Sequence, residues 1–141
     1  MQIKKKYKIS SIVLLSLWVM IMFVVLLLPN DMLSQNRTSL FNIPYSDKIM
    51  HCGLFCVFAF LFHTTLLCNT NLKTKRIYVI SVCVFLFFGI FTEILQALTF
   101  EWGGRRFEVK DYISDILGGC IGLLFLKIIE KKIKKRLQYE K

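Results

Sequence analysis

Four apolar runs, Ile9–Leu28, Ile49–Cys68, Ile77–Thr99 and Tyr112–Ile129, occupy most of this 141-residue chain and leave only short polar segments between them. A helix needs about 20 apolar residues to cross a hydrocarbon layer roughly 30 Å thick, and each run approaches or reaches that length. Lipid offers no water to the backbone, so a spanning segment closes its N–H and C=O groups within itself as a helix. The runs therefore predict an all-α integral membrane bundle of four transmembrane helices, at 9–28, 49–68, 77–99 and 111–129. No intervening segment is long enough to separate two units, so residues 1–141 read as one membrane domain with a basic tail at 130–141. A hydrophobic content of 55% is too high for an ordinary soluble domain of this size.

Lys4, Lys5, Lys6 and Lys8 precede the first run as the positive region of a secretion leader would. The apolar stretch exceeds the roughly 7–15 residues of a leader, and Leu28-Pro29-Asn30 follows it instead of a small-residue cleavage site. The run reads as a retained helix.

Basic residues concentrate in the cytoplasmic segments of membrane proteins. With the N-terminus inside, the inner segments carry Lys4, Lys5, Lys6, Lys8, Lys73, Lys75, Arg76, Lys127, Lys131, Lys132, Lys134, Lys135, Arg136 and Lys141. The outer segments keep only Arg37, Lys48, Arg105, Arg106 and Lys110. The pattern predicts an N-in/C-in bundle. In a cysteine-free background, a cysteine at Ser39 or Gly103 is expected to react with an impermeant maleimide in intact cells. Labelling only after permeabilisation reverses the orientation. The same charges explain the net +10 without nucleic acid, because a basic tail beside a span is drawn to anionic headgroups at about 1 kcal/mol per residue. Membrane lipids are the expected partners, and no nucleic acid is expected.

Polar residues interrupt the apolar runs at one level. On this orientation His51 lies one turn below Asp47 on the second helix, Glu93 lies near the outer end of the third, and Asp115 lies one turn below Asp111 on the fourth. An ionised side chain at the centre of a bilayer costs roughly 2.5–3.5 kcal/mol on insertion scales, so such residues face protein and are functional candidates. Glu93 and Gln96 share a helical face at i, i+3. Asp111, Asp115, Gly118 or Gly119, and Gly122 form one stripe, whose small-xxx-small step lets a second helix approach.

Asp47-Lys48-x-x-His51 opens the second helix, Glu93-x-x-Gln96 closes the third, and an arginine follows in the loop. Asp111-x-x-x-Asp115-x-x-Gly118 then opens the fourth. This ordered set, from about Asp47 to Gly122, resembles the VanZ-like family. The family commonly has asparagine where this chain has Asp115, and its arginine falls on Arg105 or Arg106. The resemblance implies a small multi-pass protein of the bacterial cytoplasmic membrane, in a family whose namesake is associated with low-level resistance to the glycopeptide teicoplanin. Altered envelope chemistry can produce that phenotype, so it does not imply drug binding.

Asp47, Lys48, His51, Glu93, Gln96, Arg105, Arg106, Asp111 and Asp115 are the candidate substrate-binding residues, with His51, Glu93, Asp111 and Asp115 the candidates for any catalysis. Asp47 and Asp111 also stand where carboxylates cap helix N-termini. Glu93 has the alternative of a structural ion pair with Arg105 or Arg106. His63 lies away from the cluster and reads as a packing or hydrogen-bonding residue. Cys52, Cys56, Cys68, Cys83 and Cys120 lack the C-x-x-C pairing of zinc sites, so neither metal nor cofactor is expected. The chain has no phosphate-binding G-x-x-x-x-G-K-[ST] loop, no G-x-S-x-G elbow and no H-E-x-x-H.

Three functions fit. The outer cluster can bind the head group of an anionic lipid or lipid-linked cell-wall intermediate, since two helices point their positive ends there beside Lys48, Arg105, Arg106 and Lys110. It can instead be an intramembrane enzyme acting on a lipid-linked substrate, with Glu93 or His51 as general base, an aspartate as acid or cation ligand and an arginine holding a phosphate. It can also be the ion network of a non-catalytic adaptor or transporter.

Overall fold

The computed structural model describes residues 5–27, 45–99 and 107–139, with side chains as far as Glu130. Four helices run in sequence: α1 Lys5–Leu27, α2 Ser46–Asn69, α3 Thr74–Leu98 and α4 Val109–Tyr139. All are long and apolar enough to cross a membrane, α4 over its stretch Val109–Glu130. The described residues contain no strand. Each helix starts ahead of its apolar run, because helical hydrogen bonding continues into polar flanks that hydrophobicity does not mark. The basic tail after residue 130 continues α4 as far as Tyr139.

Local signals set the helix ends. Tyr45, just before α2, is in the left-handed region with φ 68°, and its carbonyl accepts the Ile49 N–H at 3.1 Å. At the other end of α2 the Thr70 N–H closes on Leu66 O at 2.9 Å, after which the backbone turns extended. Lys73, also extended, begins α3 by accepting the Arg76 N–H at 2.8 Å. This short connection makes α2 and α3 antiparallel neighbours.

Contacts along the helices give their directions. Asn69 and Thr65 near the end of α2 bond to Ser11 near the start of α1, through Asn69 Nδ2 to Ser11 Oγ (3.0 Å) and Thr65 Oγ1 to Ser11 O (3.1 Å). Trp18 Nε1 donates to Leu54 O at 3.1 Å, so α1 and α2 are antiparallel. Tyr78 at the start of α3 donates its hydroxyl to Glu130 Oε2 of α4 at 3.1 Å. It follows that α2 and α4 run parallel, both antiparallel to α3.

Glycine decides how closely α2 and α4 approach. A Cβ built on Gly118 would overlap the backbone carbonyl of Cys52, and one on Gly122 would overlap that of Cys56. On the adjacent face of α4, a Cβ at Gly119 would sit 2.7 Å from the Phe85 ring of α3. In lipid the exterior is as apolar as the interior, so helices associate through close packing of this kind. Phe55, Phe58 and Phe85 fill the space between α1, α2, α3 and α4 with Met22, Leu26 and Leu123. Phe58 stacks on Phe88 with ring centroids 4.8 Å apart. Large apolar side chains such as Leu14, Met20, Val24, Phe87, Leu124 and Ile128 lie on the outside, as a lipid-facing surface requires.

Candidate functional site

Parallel packing puts the N-termini of α2 and α4 side by side, at the end of the bundle where α3 and α1 finish. Each helix N-terminus carries about half a positive charge, which favours carboxylates there. Asp47 and Asp111 stand in the two first turns. His51 lies five residues into α2, Asp115 six into α4 and Glu93 five before the end of α3. At about 1.5 Å per residue these three reach a common depth of roughly 8–9 Å.

Two linked groups form there. In the inner one, His51 Nδ1 is 2.9 Å from Asp115 Oδ1 and 4.0 Å from Glu93 Oε1. His51 and Glu93 are fully buried and Asp115 is 1% exposed. An ionised Asp115 only accepts, which makes the imidazole the donor through Nδ1–H. In the outer group the Lys48 ammonium donates to Asp111 Oδ1 at 2.7 Å and Glu108 Oε2 at 3.0 Å, with Asp47 Oδ2 at 3.7 Å. Glu108 joins the groups: its backbone N–H donates to Glu93 Oε2 at 3.1 Å.

The structure thus gathers Asp47, Lys48, His51, Glu93, Asp111 and Asp115 at one end of the bundle. Gln96 is also buried, but its amide donates to Leu26 O of α1 at 2.9 Å. It fastens the end of the first helix and takes no part in the two groups. Arg105 and Arg106 lie outside the described residues. His63 lies at the opposite end, where its Nδ1 is 3.1 Å from Ser81 Oγ. Sequence reading passed over Glu108. Its signal was position: it precedes α4 and its carbonyl accepts the Asp111 N–H at 2.9 Å, so it is held by the same turn that presents Asp111.

The electrostatics differ from an empty anion pocket. Lys48, which the sequence offers to a ligand, is engaged by the protein's own carboxylates, and those carboxylates also occupy the positive helix ends. In the inner group Glu93 Oε1, Asp115 Oδ2 and His51 Nε2 are buried and have no hydrogen-bond partner among the described residues. Buried polar atoms are almost always paired, so unpaired atoms on three neighbouring side chains from three helices leave room for a further group. His51, Glu93 and Asp115 offer ligand atoms within 4.8 Å of one another, as do Asp47, His51 and Asp111.

A protein-family model described as VanZ/LLP1 matches residues 5–130. No curated protein and no solved structure matches the chain significantly.

Proposed function

We propose that this chain, which belongs to the VanZ/LLP1 family, binds the head group of an anionic lipid or lipid-linked cell-wall intermediate at the end of the bundle where α2 and α4 begin. It is a multi-pass membrane protein with four membrane-length helices. On the topology that the basic residues favour, that end faces the outer leaflet of a bacterial cytoplasmic membrane. Binding there would change envelope chemistry and so the susceptibility of the cell to teicoplanin.

One observation carries this reading: the inner group is buried among apolar helices yet incompletely bonded among the described residues. A scaffold network at this depth gains stability by pairing every polar atom, since leaving one unsatisfied costs about 1–3 kcal/mol. Unpaired acceptors at a helix end, within reach of the lipid headgroup layer, are suited to a ligand. The phosphate of such a ligand finds a basic partner at the rim in exposed Lys110.

The His51–Asp115 bond favours one second reading. A carboxylate that holds one imidazole nitrogen while the other stays open is the arrangement of a positioned general base. In that case the protein turns over a lipid-linked substrate, and radiolabelled lipid extracts show a product dependent on His51.

Glu93→Gln tests the main reading. Glutamine keeps the shape and can still accept the Glu108 N–H, so the variant is expected to insert and to retain its melting temperature within a few degrees. The wild-type chain is expected to shift teicoplanin susceptibility and to retain phosphate-bearing lipids in native mass spectrometry, and the variant is expected to lose both. A stable Glu93→Gln protein with full phenotype and full lipid retention removes the inner group from the function.

A further inference from the structure

We infer that His51, Glu93 and Asp115 form a binding site for one divalent transition-metal cation, of the Zn²⁺ or Mn²⁺ class. The site goes beyond lipid recognition and does not require it.

Geometry is the first ground. One imidazole and two carboxylates come from α2, α3 and α4, with ligand atoms within 4.8 Å of one another. A tetrahedral cation with bonds of about 2.0–2.1 Å holds its ligands roughly 3.3 Å apart. Glu93 Oε1, at 4.0 Å from His51 Nδ1, therefore needs to close by less than about an ångström. Asp115 Oδ1, at 2.9 Å, needs to open only slightly as the hydrogen bond gives way to the metal.

The second ground is independent of spacing. Glu93 is 0% and Asp115 1% exposed, and among the described residues each keeps one carboxylate oxygen without a hydrogen-bond partner. Glu93 Oε1 is the unpartnered oxygen and is also the one that faces the imidazole. Its other oxygen is held by the Glu108 N–H, which fixes the carboxylate's direction as the outer partners of metal ligands do. Among the described residues, the two buried carboxylates have a single imidazole between them as a basic partner. A dication adds positive charge there, and leaves an open position for water or a ligand oxygen.

The neighbouring group of Asp47, His51 and Asp111 satisfies the same distance test. There the Lys48 ammonium already supplies a cation, 2.7 Å from Asp111 and 3.7 Å from Asp47. The metal therefore belongs to the inner group. Sequence spacing did not reveal it because its three ligands come from three separate helices.

The test uses the full chain in nanodiscs of neutral phosphatidylcholine, treated with chelator and titrated with Mn²⁺, which avoids the free thiols. Electron paramagnetic resonance is expected to show one bound Mn²⁺ per chain. Saturating Mn²⁺ is expected to raise the melting temperature of the wild-type protein, a readout that needs no variant. Altering even a partner of a metal ligand costs about 10–100-fold in affinity, so Glu93→Gln and Asp115→Asn should each weaken binding at least tenfold. Asp111→Asn should change it little. If one of the two ligand variants does not fold, the other and the wild-type thermal shift decide. Absence of stoichiometric Mn²⁺ and of any thermal shift overturns the site, as does affinity that both ligand variants leave unchanged. Loss of binding through Asp111→Asn alone moves the metal to the outer group and overturns it equally.

Discussion

Gly118→Ala is expected to cost about 2–3 kcal/mol of stability, and Gly118→Leu to prevent the bundle from assembling. The added Cβ meets the carbonyl, carbonyl carbon and Cα of Cys52, all backbone atoms of α2 that no rotamer change can move aside. Overpacking in a close-packed interior typically costs about 1–3 kcal/mol, and a backbone obstacle places Gly118 at the upper end. Gly122→Ala should behave alike against Cys56. The double variant should lose less than the sum of the two, because the first substitution already separates the helices. Gly53 is the control, with nothing within 4 Å of its built Cβ. Gly53→Ala should be neutral or gain up to about 1 kcal/mol from lower chain entropy. Unfolding in mixed detergent micelles measures the four alanine variants, and insertion and recovery of folded protein read out Gly118→Leu. If Gly118→Ala is as stable as Gly53→Ala, the close approach of α2 and α4 is not what holds the bundle.

Asp115→Leu is expected to cost about 3 kcal/mol, through the loss of His51's partner. The side chains are similar in size, so the change mainly removes a polar acceptor from a position 1% exposed. An unsatisfied buried group costs about 1–3 kcal/mol, and breaking a buried ion pair about 3–5 kcal/mol. The His51–Asp115 pair, at 2.9 Å with both residues buried, stands between these cases. Asp115→Asn separates hydrogen bonding from charge. Its amide oxygen can still accept from His51 Nδ1, so metal-free stability should stay within about 1 kcal/mol of wild type. The pair of variants is read by thermal unfolding after chelator treatment. Equal stability of Asp115→Leu and wild type would falsify the view that this hydrogen bond anchors α2 to α4.

Much of this architecture was legible along the chain because lipid imposes a one-dimensional rule. A segment that must satisfy its own backbone becomes a helix wherever about 20 apolar residues run together. Four runs of that kind were enough to foresee four helices. The small stripe of α4 was equally legible, since residues at i and i+4 share a face whatever surrounds them. The level of His51, Glu93 and Asp115 followed from counting residues from the helix ends.

Sequence did not reveal which way each polar side chain turns. Gln96 shares its helical face with Glu93, yet it reaches the Leu26 carbonyl of α1 while Glu93 meets His51 and the Glu108 N–H. Lys48 read as a cation available to a ligand; in the fold Asp111, Glu108 and Asp47 surround it. Glu108 drew no attention as a loop residue and became the link between the two groups. Helical periodicity specifies the angle of a side chain about its own axis but not which neighbour stands at that angle. The order and rotation of the helices answer that question, and they follow from packing between residues far apart in sequence, above all Gly118 and Gly122 on Cys52 and Cys56. The chain by itself therefore determined the helices and the depth of their polar residues; only the tertiary contact between α2 and α4 decided which of those residues would meet.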